Sequence, residues 1–323
     1  MVKRNGAWID VYDLSSNRVE VQNDSSRVSL NSELSDYCDK LWAPKAEAGW
    51  TSSWLPFVNS LSYQNGKTVI RAGAMPFHIA DGMGKAIEAG EDFSPSQGYT
   101  NCLSAGFPVA TSDGKVIFQR RPSNVHCPNI LIHEPCGYMS SRYIVAETEE
   151  EELRSADDPR YAEDKRLFGL KYQLDSKKAE IAETFGVGAE DVSYQLNPQD
   201  LLACGWKTIE MYFSTTGKIN ARSDELKVPE DQEVFFIPFE DIKDLIYNQG
   251  RLSKVDPIGY RPKDPRKIPL IDESLVGLIW GYERLTGDKL DIRETVERLN
   301  RDGMDITVYD SSPGTNYRFP NKF

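Results

Sequence analysis

Nowhere in these 323 residues is there an apolar run of about eighteen residues, the length a membrane-spanning helix requires. The N-terminus, MVKRNGAWIDVYD, has no apolar core of the kind a secretory signal carries. Paired cysteines are missing too. Cys38, Cys102, Cys127, Cys136 and Cys204 are odd in number, scattered and without a CxxC, a pattern of free thiols in a reducing compartment rather than a disulfide framework. The expectation is therefore a cytoplasmic protein. An excess of positive charge is also lacking: 38 Lys+Arg face 50 Asp+Glu, a net charge of -12. Such a surface repels phosphate backbones and anionic headgroups, which argues against nucleic-acid and membrane partners. A small anionic ligand stays compatible with it, given a locally basic pocket or a divalent cation.

Internal repeats and low-complexity tracts are absent. So are the two common phosphate-cradling fingerprints: ADGMGKAIEAG (80–90) has neither the GxxxxGK[ST] order nor GxGxxG, and it reads as a Gly-rich turn. What is present is a globular composition, 39% hydrophobic and 11% aromatic, enough for a sizeable core. The length exceeds one average domain.

Along the chain, WIDVYD, RVEVQ and RVSL in residues 1–34 alternate apolar and polar, predicting a small antiparallel sheet. The stretch 35–65 is irregular and holds Trp42, Trp50 and Trp54, expected to fill a core or a domain interface. TVIRAGAMPFHI reads as a strand. SAGFPVATSDGKVIFQRRP predicts a hairpin about the Ser-Asp-Gly turn at 112–114. ILIHEPCGYMS gives a strand ending at Gly137, and 147–170 is acidic and helix-prone. Asp175 to Phe185 predicts an amphipathic helix closed by Gly186. LLACGWKTIEMYFST reads as one long strand, and EVFFIPF as another running into the helix EDIKDLIYNQG. The Pro/Lys/Arg-rich stretch 251–269 reads as a linker. Helices at about 272–285 and 291–300 and a strand ITVYD follow.

On the helix after the insert, Ala179-Glu180-Ile181-Ala182-Glu183-Thr184-Phe185-Gly186-Val187 resembles the second half of the signature of the Nudix hydrolase superfamily, Arg-Glu-apolar-x-Glu-Glu-x-Gly-apolar. Glu180, Ile181, Glu183, Gly186 and Val187 match, while Ala179 stands for the Arg and Thr184 for the last Glu. Gly137 is the candidate for the family's leading Gly. The family's first Glu would fall six residues later, where Tyr143 stands. The family spaces the leading Gly and the helix Glu by fifteen positions; here the separation is forty-three, and the acidic insert at 147–172 accounts for the excess. The resemblance covers roughly residues 100–250 and is stronger in element order than in motif.

That resemblance implies an α/β (α+β) fold: a Nudix-type mixed β-sheet core flanked by helices at 96–250, with a mainly β accessory region at 1–95 and a helical extension at 251–323. It also implies Mg²⁺ or Mn²⁺ held by Glu180, Glu183 and the carbonyl of Gly137, for cleavage of a diphosphate linkage in a nucleoside-diphosphate derivative. Hard divalent ions take oxygen ligands and bind phosphate oxygens, and they can activate a water. Positions 180, 183 and 184 share one helix face, with Ile181, Ala182 and Phe185 opposite. The accessory region is expected to shape the pocket or a homodimer interface. The missing acids favour a second expectation, a non-catalytic module that binds a nucleotide or a protein partner. A third is an assembly protein with no small-molecule site.

Other residues compete for roles. Arg120 and Arg121 are the nearest cations for a phosphate, or else a surface pair answering acids. Glu210, in WKTIEMYF, sits where the family often supplies a further acid, or is an exposed strand residue. Glu149–Glu152 could fold back as ligands, though such a run is usually a solvated face. His126, Cys127, His133 and Cys136 are zinc-like in type, but an apolar strand of ~20 Å separates the two pairs. A Cys136–His133 nucleophilic pair has only Glu134 to orient it.

Overall fold

The computed structural model describes residues 8–14, 18–27, 32–50, 52, 54–64, 66–88, 102–123, 129–133, 136–138, 168–195, 201–205, 210–252, 254–255, 261–309 and 314–318. Helices and mixed sheets alternate through them, an α/β (α+β) architecture. The acidic segment 147–167, and with it Glu149–Glu152, lies outside the described residues.

Among the described residues a ten-stranded sheet takes strands from both ends and the middle of the chain. It is built from β1 (Trp8–Tyr12), β2 (Arg18–Arg27), β3 (Trp54–Gln64), β4 (Lys67–Pro76) and β5 (Cys102–Gly106). To these are added β9 (Cys136–Tyr138), β11 (Leu201–Gly205), β12 (Glu210–Ser214), β15 (Asp305–Tyr309) and β16 (Asn316–Arg318). The path is β15-β1-β11-β12-β5-β3-β4-β2, with β9 on β5 and β16 on β3. The N-terminal strands therefore do not form their own small antiparallel sheet. β1 pairs with β11 and, in parallel, with β15, whereas β2 lies at the other end, parallel to β4. Stacking of Tyr12 on Tyr309, centroids 4.8 Å apart, ties β1 to β15.

The six-stranded sheet contains β6 (Val109–Ala110), β7 (Lys115–Arg120), β8 (Leu131–Ile132), β10 (Val192–Tyr194), β13 (Gly217–Ile219) and β14 (Glu233–Pro238). The expected hairpin is present about Ser112–Gly114. Its apolar arm splits, however, because Phe107-Pro108 breaks the ladder between β5 in one sheet and β6 in the other; proline cannot donate to a ladder. ILIHEPCGY divides the same way into β8 and β9, so Gly137 lies within a strand, opposite Ala105, rather than at a strand's end. The long strand expected over 201–215 is two antiparallel strands, with Leu201 opposite Ser214.

The irregular stretch 35–65 holds α1 (Ser32–Glu47) and β3, and the Gly-rich turn is α2 (Phe77–Glu88). Two glycines lowered the helical signal of α2, yet Gly82 is what lets the two helices meet. A Cβ there would come 2.5 Å from Cys38 Sγ. Trp42 is buried edge-on to Phe77, while Trp50 is 61% exposed.

Four further helices follow among the described residues: α3 (Phe168–Phe185), α4 (Phe239–Leu252), α5 (Asp272–Thr286) and α6 (Ile292–Arg301). Leu174, Ile181, Ala182 and Phe185 of α3 enter a core with Leu103, Ala105, Phe107, Ile117 and Phe213, drawn from both sheets. α5 is buried along almost its whole length, against Ile9, Val11, Phe118, Leu245 and Ile306. No helix among the described residues is long and apolar enough to cross a membrane.

Candidate functional site

The wet side of α3 carries Glu180 and Glu183, one turn apart and both exposed, and its dry side carries Ile181, Ala182 and Phe185. The helix ends at Gly186, whose φ of +65° and bond to Glu183 O close the last turn, the left-handed conformation glycine adopts without strain. Lys177 Nζ lies 2.8 Å from Glu180 Oε2, so one carboxylate already has a cationic partner one turn upstream.

Beside this helix is a cleft of about 240 Å³ lined by Glu180, Ile181, Thr184, Phe185, Ile117, Gln119, Gln232 and Val234. Strand alternation builds its far wall. Ile117 and Gln119 point to one face of β7, and Val234, opposite Gln119 on β14, points the same way. Ile117, Ile181 and Phe185 are themselves buried behind the cleft, and the polar lining consists of two carboxamides, one hydroxyl and one carboxylate. Glu183 does not line it. Sequence reading passed over Gln119 and Gln232, and the only signal for them was the i, i+2 spacing of Ile117–Gln119 and Gln232–Val234.

The same alternation sends Arg120 to the opposite face. Its guanidinium meets Glu233 Oε1 at 3.0 Å, also donates to Pro262 O, and lies 5.4 Å from the Phe235 ring centre. Buried to 5% exposure, Arg120 braces β14 and the 261–262 segment and does not reach the cleft. Arg121 follows the strand, and its backbone closes a turn with Ile130 O and Asn129 N. Gly137 pairs with Ala105 in the larger sheet. Glu210 opens β12 opposite Cys102, and its side chain lies outside the described residues. Among the residues singled out whose side chains are described, Glu180 alone lines the cleft.

Glu180 and Glu183 offer two carboxylates on one exposed helix face. Mg²⁺ asks for near-octahedral oxygen ligation. One of these carboxylates is held by Lys177, and Thr184 offers only a neutral hydroxyl. Among the described residues no three His, Cys, Asp or Glu side chains come together. The zinc-like group is not assembled among them either: His126 and Cys127 lie outside the described residues, as does the side chain of Cys136. His133 is fully buried, with Nε2 2.5 Å from Tyr212 Oη, and its backbone N–H donates to Ser274 Oγ. Burial pushes this imidazole down to about 3, because desolvation disfavours the charged ring.

No protein-family model matches the chain, and no characterised protein sequence does. Among solved structures, a Nudix hydrolase from M. smegmatis, RenU, aligns over 72% of this chain and 98% of its own at 12% identity and a TM-score of 0.26. A protein from Deinococcus radiodurans aligns over 56% of this chain and 84% of its own, at 15% identity and a TM-score of 0.24.

Proposed function

We propose that the chain is a nucleotide-binding module of Nudix type that seats the base of a nucleoside-diphosphate derivative in the cleft between α3, β7 and β14. The lining of that cleft carries the proposal. Carboxamides both donate and accept, so Gln119 and Gln232 can read the mixed edge of a heterocycle set against the half-buried Val234. The cleft falls below the ~300–1,000 Å³ of drug-sized pockets, which suits one ring system rather than a whole dinucleotide. Ala179 stands where the family has its Arg, and Thr184 where it has its last Glu. Binding without turnover is the function this arrangement favours.

Thermal melts with a panel of nucleoside-diphosphate sugars, with and without Mg²⁺, test this while released phosphate and nucleotide are assayed in parallel. A ligand bound only by the native state raises apparent stability by about 2.7 kcal/mol at a hundredfold excess over Kd. The expected result is a shift without product, lost in Gln119→Leu and Gln232→Leu. An unshifted melt across the panel would sink the proposal. The second reading, a divergent hydrolase, is favoured by the shared exposed face of Glu180 and Glu183. It requires Mg²⁺-dependent product formation that Glu183→Gln removes.

A further inference from the structure

We propose that Ser52, His78 and Asp39 form a separate nucleophilic site that hydrolyses small carboxylic esters. The hairpin of β3 and β4 creates it. Trp54 pairs with Pro76, so the residues two steps beyond each strand end, Ser52 and His78, are carried face to face. Ser52 Oγ lies 2.9 Å from His78 Nδ1, and His78 Nε2 lies 3.3 Å from Asp39 Oδ1 on α1. A hydroxyl, an imidazole and a carboxylate in that order are what acyl transfer by serine requires. The ring nitrogens are used in the reverse of the more familiar sense, but the chemistry asks only that one nitrogen accept from the hydroxyl while the other N–H faces the carboxylate. A ring proton on Nε2 faces Asp39 and leaves the Nδ1 lone pair toward Ser52.

Two further observations bear on the same group of residues. The backbone N–H of His78 donates to Ser52 Oγ at 3.0 Å, and it belongs to the first turn of α2, whose dipole favours negative charge there. The other acid nearby is neutralised: Asp81 is bound by Lys45 at 2.9 Å and Lys85 at 3.1 Å, leaving Asp39 as the carboxylate on the ring. The site is open to solvent. Ser52 is half-buried, and the side chains of His78 and Asp39 are 20% and 62% exposed. Trp50, exposed two residues before Ser52 and with Lys45 5.8 Å from its ring centre, offers an indole face to an apolar acyl group.

In the reaction, Ser52 Oγ bonds to the ester carbonyl carbon as its proton passes to His78 Nδ1. The tetrahedral adduct then breaks its bond to the alcohol, which leaves with that proton. Water attacks the acyl-serine by the same route, its proton passing through Nδ1 to Ser52 Oγ as the acyl–oxygen bond breaks and the carboxylic acid departs. Water is the only co-reactant.

The test treats the full chain with a fluorophosphonate, maps the adduct by peptide mass spectrometry, and measures p-nitrophenyl acetate hydrolysis. The adduct is expected on Ser52, with Ser52→Ala abolishing it. His78→Gln and Asp39→Asn are each expected to lower hydrolysis about a hundredfold or more, the low end of what a positioned base supplies. Asp39 is exposed, so Asp39→Asn reports on chemistry even if Ser52→Ala disturbs the start of α2. No adduct, an adduct elsewhere, or hydrolysis unchanged in Asp39→Asn overturns the proposal. None of these outcomes bears on nucleotide binding at the α3 cleft.

Discussion

His133 Nε2 and Tyr212 Oη stand 2.5 Å apart in the interior and join the two sheets, since His133 follows β8 of the smaller sheet and Tyr212 belongs to β12 of the larger. Ser274 on α5 takes the His133 backbone N–H at 2.9 Å, so three layers meet at one residue. Among the described residues His133 Nδ1 is buried without a hydrogen-bond partner, and the imidazole is neutral when folded. Its pKa of about 3 lies below the ordinary 6.5. The unfolded chain therefore binds a proton that the native state refuses. This contribution is complete above about pH 6.5 and is lost progressively as pH falls toward 3. At about pH 5 the loss is about 2 kcal/mol from this residue alone. Urea melts at neutral pH and at about pH 5 should show that difference in the wild type and a much smaller one in His133→Gln. Equal pH dependence in both would remove His133 as the cause.

Asp113 makes the opposite kind of prediction. Desolvation pushes its carboxyl up, but the Ser223 backbone N–H, the Thr111 and Ser223 hydroxyls and Lys115 together outweigh it and hold the group well below the ordinary range. The distances are 2.8 Å to Ser223 N, 2.7 Å to Thr111 Oγ1 and 3.0 Å to Lys115 Nζ. This carboxylate fastens the β6–β7 turn to the loop at 220–226. With a depressed pKa, its stabilisation is present above the unfolded value near 4 and fades only as pH drops through the folded one. Asp113→Ala should cost about 2 kcal/mol near neutral pH, as hydrogen bonds to a charged group do, with the midpoint of a urea melt as the readout. A loss under about 0.5 kcal/mol would contradict the assignment.

Much of this architecture was legible in the chain because local signals sufficed for it. VFFIPF with its following helix, the Ser-Asp-Gly turn, the helix closed by Gly186 and the strands WIDVY and ITVY each carry their own periodicity or cap. What was not legible depends on distant partners. α2 looks like a turn until Cys38 is seen against Gly82, and β5 and β6 look like one strand until the two sheets divide them at Pro108. The parallel partner of β1 lies 297 positions away, at Asp305–Tyr309, and no local pattern encodes that. At the site, helix spacing set Glu180 and Glu183 on one exposed face. The face to which Arg120 points is fixed by β7 alternation relative to α3, a relation that appears only when strand and helix are packed together. Ser52 and His78 are twenty-six positions apart and become neighbours only through the β3–β4 register.

The two faces of α3 should separate cleanly in mutagenesis. Phe185 is 3% exposed and packs between the sheets, so Phe185→Ala should cost about 3–5 kcal/mol, the usual range for emptying an aromatic site in a core. Glu183→Gln should change stability by less than about 0.5 kcal/mol. Glu180→Gln should do the same, because its pair with Lys177 leaves the carboxylate 52% exposed and well screened. Guanidinium melts of the three variants decide the matter. A large loss from either Glu variant would mean that the acidic face is structural.

Gln249 gives the sharpest test of how α5 is held. Its side chain is 2% exposed. Oε1 accepts from Leu270 N at 2.8 Å, and Nε2 donates to Leu245 O at 3.1 Å and Ile268 O at 3.4 Å. One carboxamide on α4 thus satisfies a donor and an acceptor of the segment leading into α5, which is also bonded to Leu131 on both sides, through Pro269 O and Ile271 N. Gln249→Leu keeps the volume but leaves the Leu270 N–H and the Ile268 carbonyl without this partner. Neither backbone group can be mutated away in compensation, so the penalty is that of unmet buried groups, about 1–3 kcal/mol each. A total loss of about 3 kcal/mol is expected, with an unchanged urea m-value, since the surface exposed on unfolding is the same. Hydrogen exchange localises the effect: the Leu270 amide should lose its protection in the variant while amides in the middle of α5 exchange only through global unfolding. If the Leu270 amide stays as protected as in the wild type, another group is holding the segment and the role assigned to Gln249 is wrong.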